Sequence, residues 1–163
     1  MIEESKQSNG ADVLPARVLK FLAATQVLVN RLSGGRLGNK RQGHEVCFVT
    51  MTGAVTGRIL TKPVMYVPYR DGVLLVASLG GAPKNPAWYR NIITHPDIEV
   101  RHRGRAMRLR ARLANEAERE SLWPICDAAY PPYADYRSRT SRAIPILVCQ
   151  PVESDKADSM PPG

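Results

Sequence analysis

Between residues 46 and 113 the chain is a succession of short β-branched runs divided by tight turns, and this grammar constrains its fold more than any other feature. Residues 46–50 read as a strand, followed by a turn through Gly53 and Gly57. Residues 64–69 read as a second strand, Arg70, Asp71 and Gly72 as a hairpin turn, and residues 73–78 as the return. A further hairpin joins residues 97–102 to 106–113 around Arg103, Gly104 and Arg105, and residues 145–149 supply a last strand. Residues 86–94 and 115–130 read as helices, the second opened by Asn115 with Glu116 and Glu118 in its first turn. Hairpin-joined strands with few helices predict a mainly β fold with flanking α, a small antiparallel barrel whose closure removes exposed edges.

Upstream the period changes. Val18, Phe21, Leu22, Thr25, Leu28, Val29 and Leu32 recur every three or four positions, Pro15 sits where a first-turn proline is tolerated, and Ser33, Gly34 and Gly35 supply a stop. Arg17, Lys20 and Arg31 fall among the polar positions, which leaves two readings of residues 14–32 open. One is a helix laid on the core; the other is a basic amphipathic helix in peripheral contact with an anionic membrane. Residues 1–13 and 153–163 are polar and are expected as a flexible arm and tail, leaving 14–152 as one domain. With 44% hydrophobic and 23% charged residues, a net charge of +8 is carried by an ordinary globular composition, which excludes a disordered chain. Cys47, Cys126 and Cys149 are widely spaced and read as reduced thiols. No apolar run is long enough to span a bilayer, and the polar start is unlike a signal peptide. The expected location is the cytoplasm, with membrane association through residues 14–32 as the alternative.

The chain shows no chemical engine of its own. His44, His95 and His102 are isolated, so no metal site is expected, and no nucleophile elbow, Walker loop or dinucleotide fingerprint appears. An activity would have to come from a bound cofactor. Arg108, Arg110 and Arg112 alternate with Met107, Leu109, Ala111 and Leu113, giving one arginine face and one apolar face. That face reads as solvated and paired with Glu99, Glu116 and Glu118, or as a surface for an anion. No aromatic residue is interleaved between residues 97 and 122 to stack bases, so nucleic acid is not an expected partner.

Two stretches point to a ligand. In residues 77–91 a strand runs into a glycine turn, Gly80 and Gly81, whose backbone can approach a ligand closely. Pro86 then opens a helix carrying the flat pair Trp88 and Tyr89. Downstream, Tyr130, Tyr133 and Tyr136 are spaced by three around Pro131 and Pro132, which predicts a turn-rich loop or a short 3₁₀ piece. The tyrosines read equally as the wall of a pocket or as packing against Trp123.

At these residues the sequence resembles the deazaflavin-dependent nitroreductase family of actinobacteria. The resemblance lies in Ala77, Ser78, Gly80, Gly81, Pro86, Trp88, Tyr89 and Asn91, in Tyr130 to Tyr136, in Ile144 and Pro145, and in the upstream turn Thr52, Gly53, Thr56, Gly57. It spans about residues 45–152. The resemblance implies a split β-barrel of the FMN-binding type and, often, a homodimer. It also implies coenzyme F420, a deazaflavin with a phosphate and an oligoglutamate tail, and hydride transfer to a small electron-poor acceptor such as a quinone, nitroaromatic or activated enone. By the same resemblance Tyr130, Tyr133, Tyr136 and Ser78 are catalytic, orienting and polarising the acceptor, with Tyr66 on the substrate side. The cofactor would meet Gly53, Thr56, Lys62, Pro63, Val64, Met65, Ala77, Ser78 and Leu79. It would continue along Gly80, Gly81, Lys84, Ala87, Trp88, Tyr89 and Asn91.

The chain departs from the family where the cofactor's anionic end is gripped. The usual Arg-Lys of the first turn is Ala54-Val55 here, Leu60 stands near a usual arginine, and Leu79 follows the serine where a lysine can stand. Four lost ionic contacts would amount to roughly 4–6 kcal/mol. Arg58, Lys62, Lys84 and Arg90 are near enough in sequence to compensate in part. Two rivals follow: FMN, whose single phosphate needs fewer cations, in an oxidoreductase of the same fold, or a non-catalytic barrel that holds an apolar or anionic ligand.

Overall fold

A computed structural model describes residues 16–152; the expected arm (1–13) and tail (153–163) lie outside the described residues. The chain begins with helix α1 (Ala16–Leu32) and continues through β1 (Lys40–Arg41), β2 (His44–Thr52), β3 (Ile59–Met65), β4 (Val67–Tyr69) and β5 (Gly72–Val76). A one-turn 3₁₀ segment (Leu79–Gly81) leads to α2 (Ala87–Thr94), then β6 (Asp97–His102), β7 (Arg105–Leu113), α3 (Glu116–Ala129), α4 (Tyr133–Ser138) and β8 (Ile146–Pro151). Every strand pairing is antiparallel. The order is β1-β2-β6-β7-β8-β5-β4, with β3 also paired to β2. The result is a curved half-barrel, as the hairpin grammar predicts.

β5 and β8 are buried on both faces and so divide the interior in two. Val73 and Leu75 of β5, with Leu147 and Cys149 of β8, face a barrel core shared with Val49, Met51, Val100 and Leu109. Leu74 and Val76, with Ile146 and Val148, face a second core under α3 and α4, made with Leu122, Trp123, Tyr130 and Tyr133. The period of two in side-chain direction produces this sorting. At the start of β5 the approach is so close that a Cβ on Gly72 would fall on the Cys149 carbonyl. Burial in these cores pushes the Cys47 and Cys126 thiols up to about 12 and also raises Cys149, leaving all three protonated and inert.

Three expectations need correction. The strand expected over 64–69 is two strands, the first reaching back to Ile59. The tyrosine stretch is not a loop or a 3₁₀ piece: α4 is a short α-helix, because Pro132 occupies its N-cap position, where no helical N–H is required. Finally, the apolar stripe of α1 does not lie on the core. Phe21 is 71%, Leu28 56% and Leu32 80% exposed. The inward face is set instead by side-chain amides. Gln26 donates to the Gly38 carbonyl (2.8 Å), and Asn30 to the Leu37 carbonyl (2.7 Å) and to Asn39 Oδ1 (3.1 Å). At 100° per residue these positions lie nearly opposite Phe21, Leu28 and Leu32, so pinning one face turns the other outward. No helix of the described residues is long and apolar enough to cross a membrane.

The arginine face of β7 points outward, and two of its three arginines are paired. Arg110 meets Asp97 through Nε (2.7 Å) and Nη2 (2.8 Å), and Arg112 grips Glu118 through two 2.7 Å bonds. Of the three expected partners only Glu118 holds an arginine of this strand: Glu99 pairs with Arg101, Glu116 stands 4.0 Å from Arg119, and Arg108 is exposed without an ion pair among the described residues.

Candidate active site

One cavity of about 560 Å³ gathers elements from five parts of the chain. Its walls are Pro63, Val64 and Met65 of β3, the end of β5 with Ser78, Leu79 and Gly80, Pro86 and Trp88 at the start of α2, Tyr130, Tyr133 and Tyr136, and the hairpin residues Arg41 and Gln42 with Arg139.

The tyrosines form the deepest wall. Tyr133 is only 2% exposed, stands edge-on to Tyr130 at 4.9 Å and also packs against Trp123. The Tyr130 and Tyr136 hydroxyls are 3.0 Å apart. Both readings of the cluster thus apply, since the rings pack in the second core while their edges line the cavity. Burial is the leading cause that lifts the Tyr130 phenol to about 12, with the Tyr136 hydroxyl adding to it and Arg41 opposing it. Burial likewise holds Tyr133 well above the usual phenol range. Both stay protonated at neutral pH and can donate.

Across from them the turn after β5 takes three successive left-handed residues, Leu79 (φ 44), Gly80 (φ 64) and Gly81 (φ 80). Leucine in that region is strained, and something must hold it there. Two devices do. A Cβ on Gly81 would stand 2.6 Å from the Tyr136 carbonyl, so the turn is pressed against α4. Arg142 reaches in from behind: its Nε donates to the Ala82 carbonyl (2.7 Å), Nη1 to Asn85 Oδ1 (2.7 Å), and Nη2 to the Ala77 (3.1 Å) and Ser78 (2.9 Å) carbonyls. The Gly80 Cβ position is open space, leaving room for a flat group against the backbone.

Of the residues expected at the site, Pro63, Val64, Met65, Ser78, Leu79, Gly80, Trp88, Tyr130, Tyr133 and Tyr136 meet in this cavity. Others lie behind its wall. Ala77 is fully buried, Gly81 is under α4, and Tyr89 packs on the barrel core. Asn91 accepts the Ala54 N–H at 2.9 Å and thereby ties α2 to the turn that contains Gly53 and Thr56. Lys62, Lys84 and Ala87 are exposed and do not line the cavity, nor do Arg58 and Arg90. Tyr66 faces a separate, shallower cleft with Pro68, Pro124, Ile125, Ala128 and Glu45, and stacks on His102 at 3.6 Å.

Sequence reasoning missed Arg41, Gln42, Val76, Arg139 and the Arg142 clamp. A basic run does follow the tyrosines (Arg137, Arg139, Arg142), but which of its members turns inward is decided by α4. Arg137 turns away: it pairs with Asp127 through two 2.7 Å bonds and lies over Trp123.

The antiparallel half-barrel with helices on its second face is the split-barrel oxidoreductase fold. A solved F420-H2 dependent reductase (FDR-A) superposes with a TM-score of 0.60 at 36% identity, over 64% of this chain and 93% of that one. A chain described as a domain-swapped dimer superposes with a TM-score of 0.63 at 31% identity, over 82% and 99%. The F420H(2)-dependent quinone reductase Rv1261c of Mycobacterium tuberculosis is 32% identical over 124 residues, 74% of this chain and 83% of that protein. The family model described as F420H(2)-dependent quinone reductase matches residues 22–151, and the chain belongs to that family of oxidoreductases.

Proposed function

We propose that this chain reduces quinones at the tyrosine cavity, using reduced F420 held between Trp88, the Leu79–Gly80 turn and β3. What supports the reading is one arrangement: three tyrosines and Ser78 face a flat-walled cavity whose backbone turn is held open at Gly80. Reduced deazaflavin, when bound, supplies a hydride to the acceptor. The protein's part is to bind the ring, exclude water and stabilise the oxygen on which charge accumulates. Tyr133, Tyr130 and Ser78 can donate hydrogen bonds to that oxygen, and burial keeps the two phenols protonated to do so. The same donors suit the oxygens of nitroaromatics and activated enones, which form the wider acceptor class of this proposal. FMN draws no support from the comparisons.

The test is kinetic. Tyr133→Phe or Ser78→Ala should lower turnover more than cofactor affinity; equal loss in both, or none in either, would remove these residues from the roles proposed. Titration of Trp88 fluorescence with oxidised F420, with FMN in parallel, reports cofactor choice directly. Saturation by FMN with F420 silent would overturn it.

The outward stripe of α1 favours a second element of the reading, peripheral contact with an anionic membrane. Binding to anionic vesicles at low salt, lost on Phe21→Asp with Leu32→Asp, is the expected result. A dimer whose dissociation follows the same substitutions, with vesicles ignored, would assign the stripe to a second copy of the chain.

A further inference from the structure

Six arginines of the described residues meet a carboxylate, among them Arg110, Arg112 and Arg137, while others such as Arg108 stand exposed with no ion pair. Arg41 and Arg139 are set apart by their place. Both line the tyrosine cavity, neither has an ion-pair partner among the described residues, and no Asp or Glu lines that cavity. Each is placed by a defined element. Arg41 lies opposite His44 in the β1–β2 hairpin, whose Gln42–Gly43 turn has two left-handed residues (φ 51 and 82), and His44 rests edge-on against Tyr130 at 4.9 Å. Arg139 ends α4, its guanidinium carbon 5.8 Å from the centre of the Tyr136 ring. The two cations therefore belong to elements that touch the tyrosine wall from different sides.

We propose that Arg41 and Arg139 form an anion-binding site on the tyrosine cavity, one that takes a carboxylate or phosphate. The inference rests on the reading that this cavity takes F420 and its acceptor. Two guanidiniums with no ion-pair partner among the described residues attract an anion, and a guanidinium binds carboxylate or phosphate through paired hydrogen bonds. The chain has lost the cations usual at residues 54 and 55, and Arg58, Lys62, Lys84 and Arg90 do not line the cavity. The anion has two sources, the acidic tail of the deazaflavin or an acidic group on the acceptor.

The test uses Arg41→Gln, Arg139→Gln and the double variant, both sites being exposed enough to leave the urea midpoint unchanged. Trp88 fluorescence is titrated with F420 and with its phosphate-free ring riboside, at low and high salt. If the cofactor tail is the anion, each substitution weakens F420 binding by about tenfold and flattens its salt dependence, while the riboside changes far less. If the acceptor is the anion, the variants lose kcat/KM for a carboxylated quinone selectively over a neutral one. Inorganic pyrophosphate provides a third arm, raising the Tm of the wild type and not of the double variant. A wild type that shows this shift but binds neither deazaflavin would keep the anion site and sink the proposed function. Loss of no selectivity in any arm, or equal loss for charged and uncharged ligands, overturns the anion site.

Discussion

Replacing Arg142 by glutamine should loosen the segment from Ala77 to Asn85 while leaving the barrel folded. The guanidinium satisfies three backbone carbonyls and one amide oxygen in that segment. Asn85 is exposed and would exchange its partner for water at little cost. The Ser78 carbonyl keeps the Gly81 N–H (2.9 Å), whereas the carbonyl of the buried Ala77 would lose its partner. An orphaned buried carbonyl costs about 1–3 kcal/mol, and water entering the space left by the shorter side chain offsets part, for a net of about 1–2 kcal/mol. In urea this corresponds to a midpoint lower by about 0.5–1 M, measurable by near-ultraviolet circular dichroism. Because Leu79 depends on the same clamp for its left-handed conformation, F420 affinity measured through Trp88 should fall as well. Arg142→Lys should recover only part of both losses, since an ammonium cannot span four acceptors. An unchanged urea midpoint with unchanged affinity would refute the clamp. A lower midpoint with unchanged affinity would show that it supports the fold and not the site.

Gly81→Ala should destabilise by about 2–3 kcal/mol, because a left-handed alanine must also displace the Tyr136 carbonyl; a normal Tm would count against the tight contact with α4. Asn91→Ala should cost about 1 kcal/mol and speed amide exchange at Ala54, whose N–H it holds; unaltered exchange there would show the bond to be unimportant. Stability should also fall on acidification. Burial holds His102 below its ordinary value of 6.5 despite the nearby Glu45 carboxylate, whose oxygen is 2.9 Å from Nε2. The unfolded chain therefore binds the proton more readily, and the stabilisation is complete above pH 6.5 and lost as pH falls toward the folded value. Urea titrations at neutral and mildly acidic pH should show a slope that His102→Gln flattens, and the same slope in both proteins would exclude His102 as its source.

Much of the barrel was legible because its information is local. Alternation, turn glycines and hairpin spacing define strands within a few residues of each other, and residues 97–113 fold as that grammar predicts. The glycine turn and the tyrosines were legible as a site for the same reason, each being a compact cluster in sequence. The failures occur where a long-range partner outweighs a local pattern. In α1 the apolar period identified the helix correctly but not its orientation, which two amide side chains set by bonding the loop at residues 37–39. In α4 the prolines bar a helix only inside it, and Pro132 lies at its edge. Arg41 and Arg139 carry no signal of their own, since their meeting depends on a hairpin nearly a hundred residues away from α4.

The two-sided burial of β5 has a consequence for how the chain finds its alignment. A strand with one wet face is kept in place by its own pattern, because a slip of one residue would drive polar groups inward. β5 has no such protection: Val73, Leu74, Leu75 and Val76 would exchange faces with little change in hydrophobic burial. Gly72 breaks this degeneracy. The space beside the Cys149 carbonyl admits no side chain, so neither Asp71 nor Val73 can stand there, and a slipped alignment meets a steric wall. One residue of slip would carry Ser78 about 3.3 Å from its position and away from the tyrosines, more than a hydrogen bond can bridge. A glycine six positions before the serine, at the far end of the strand, thus measures out where the serine stands.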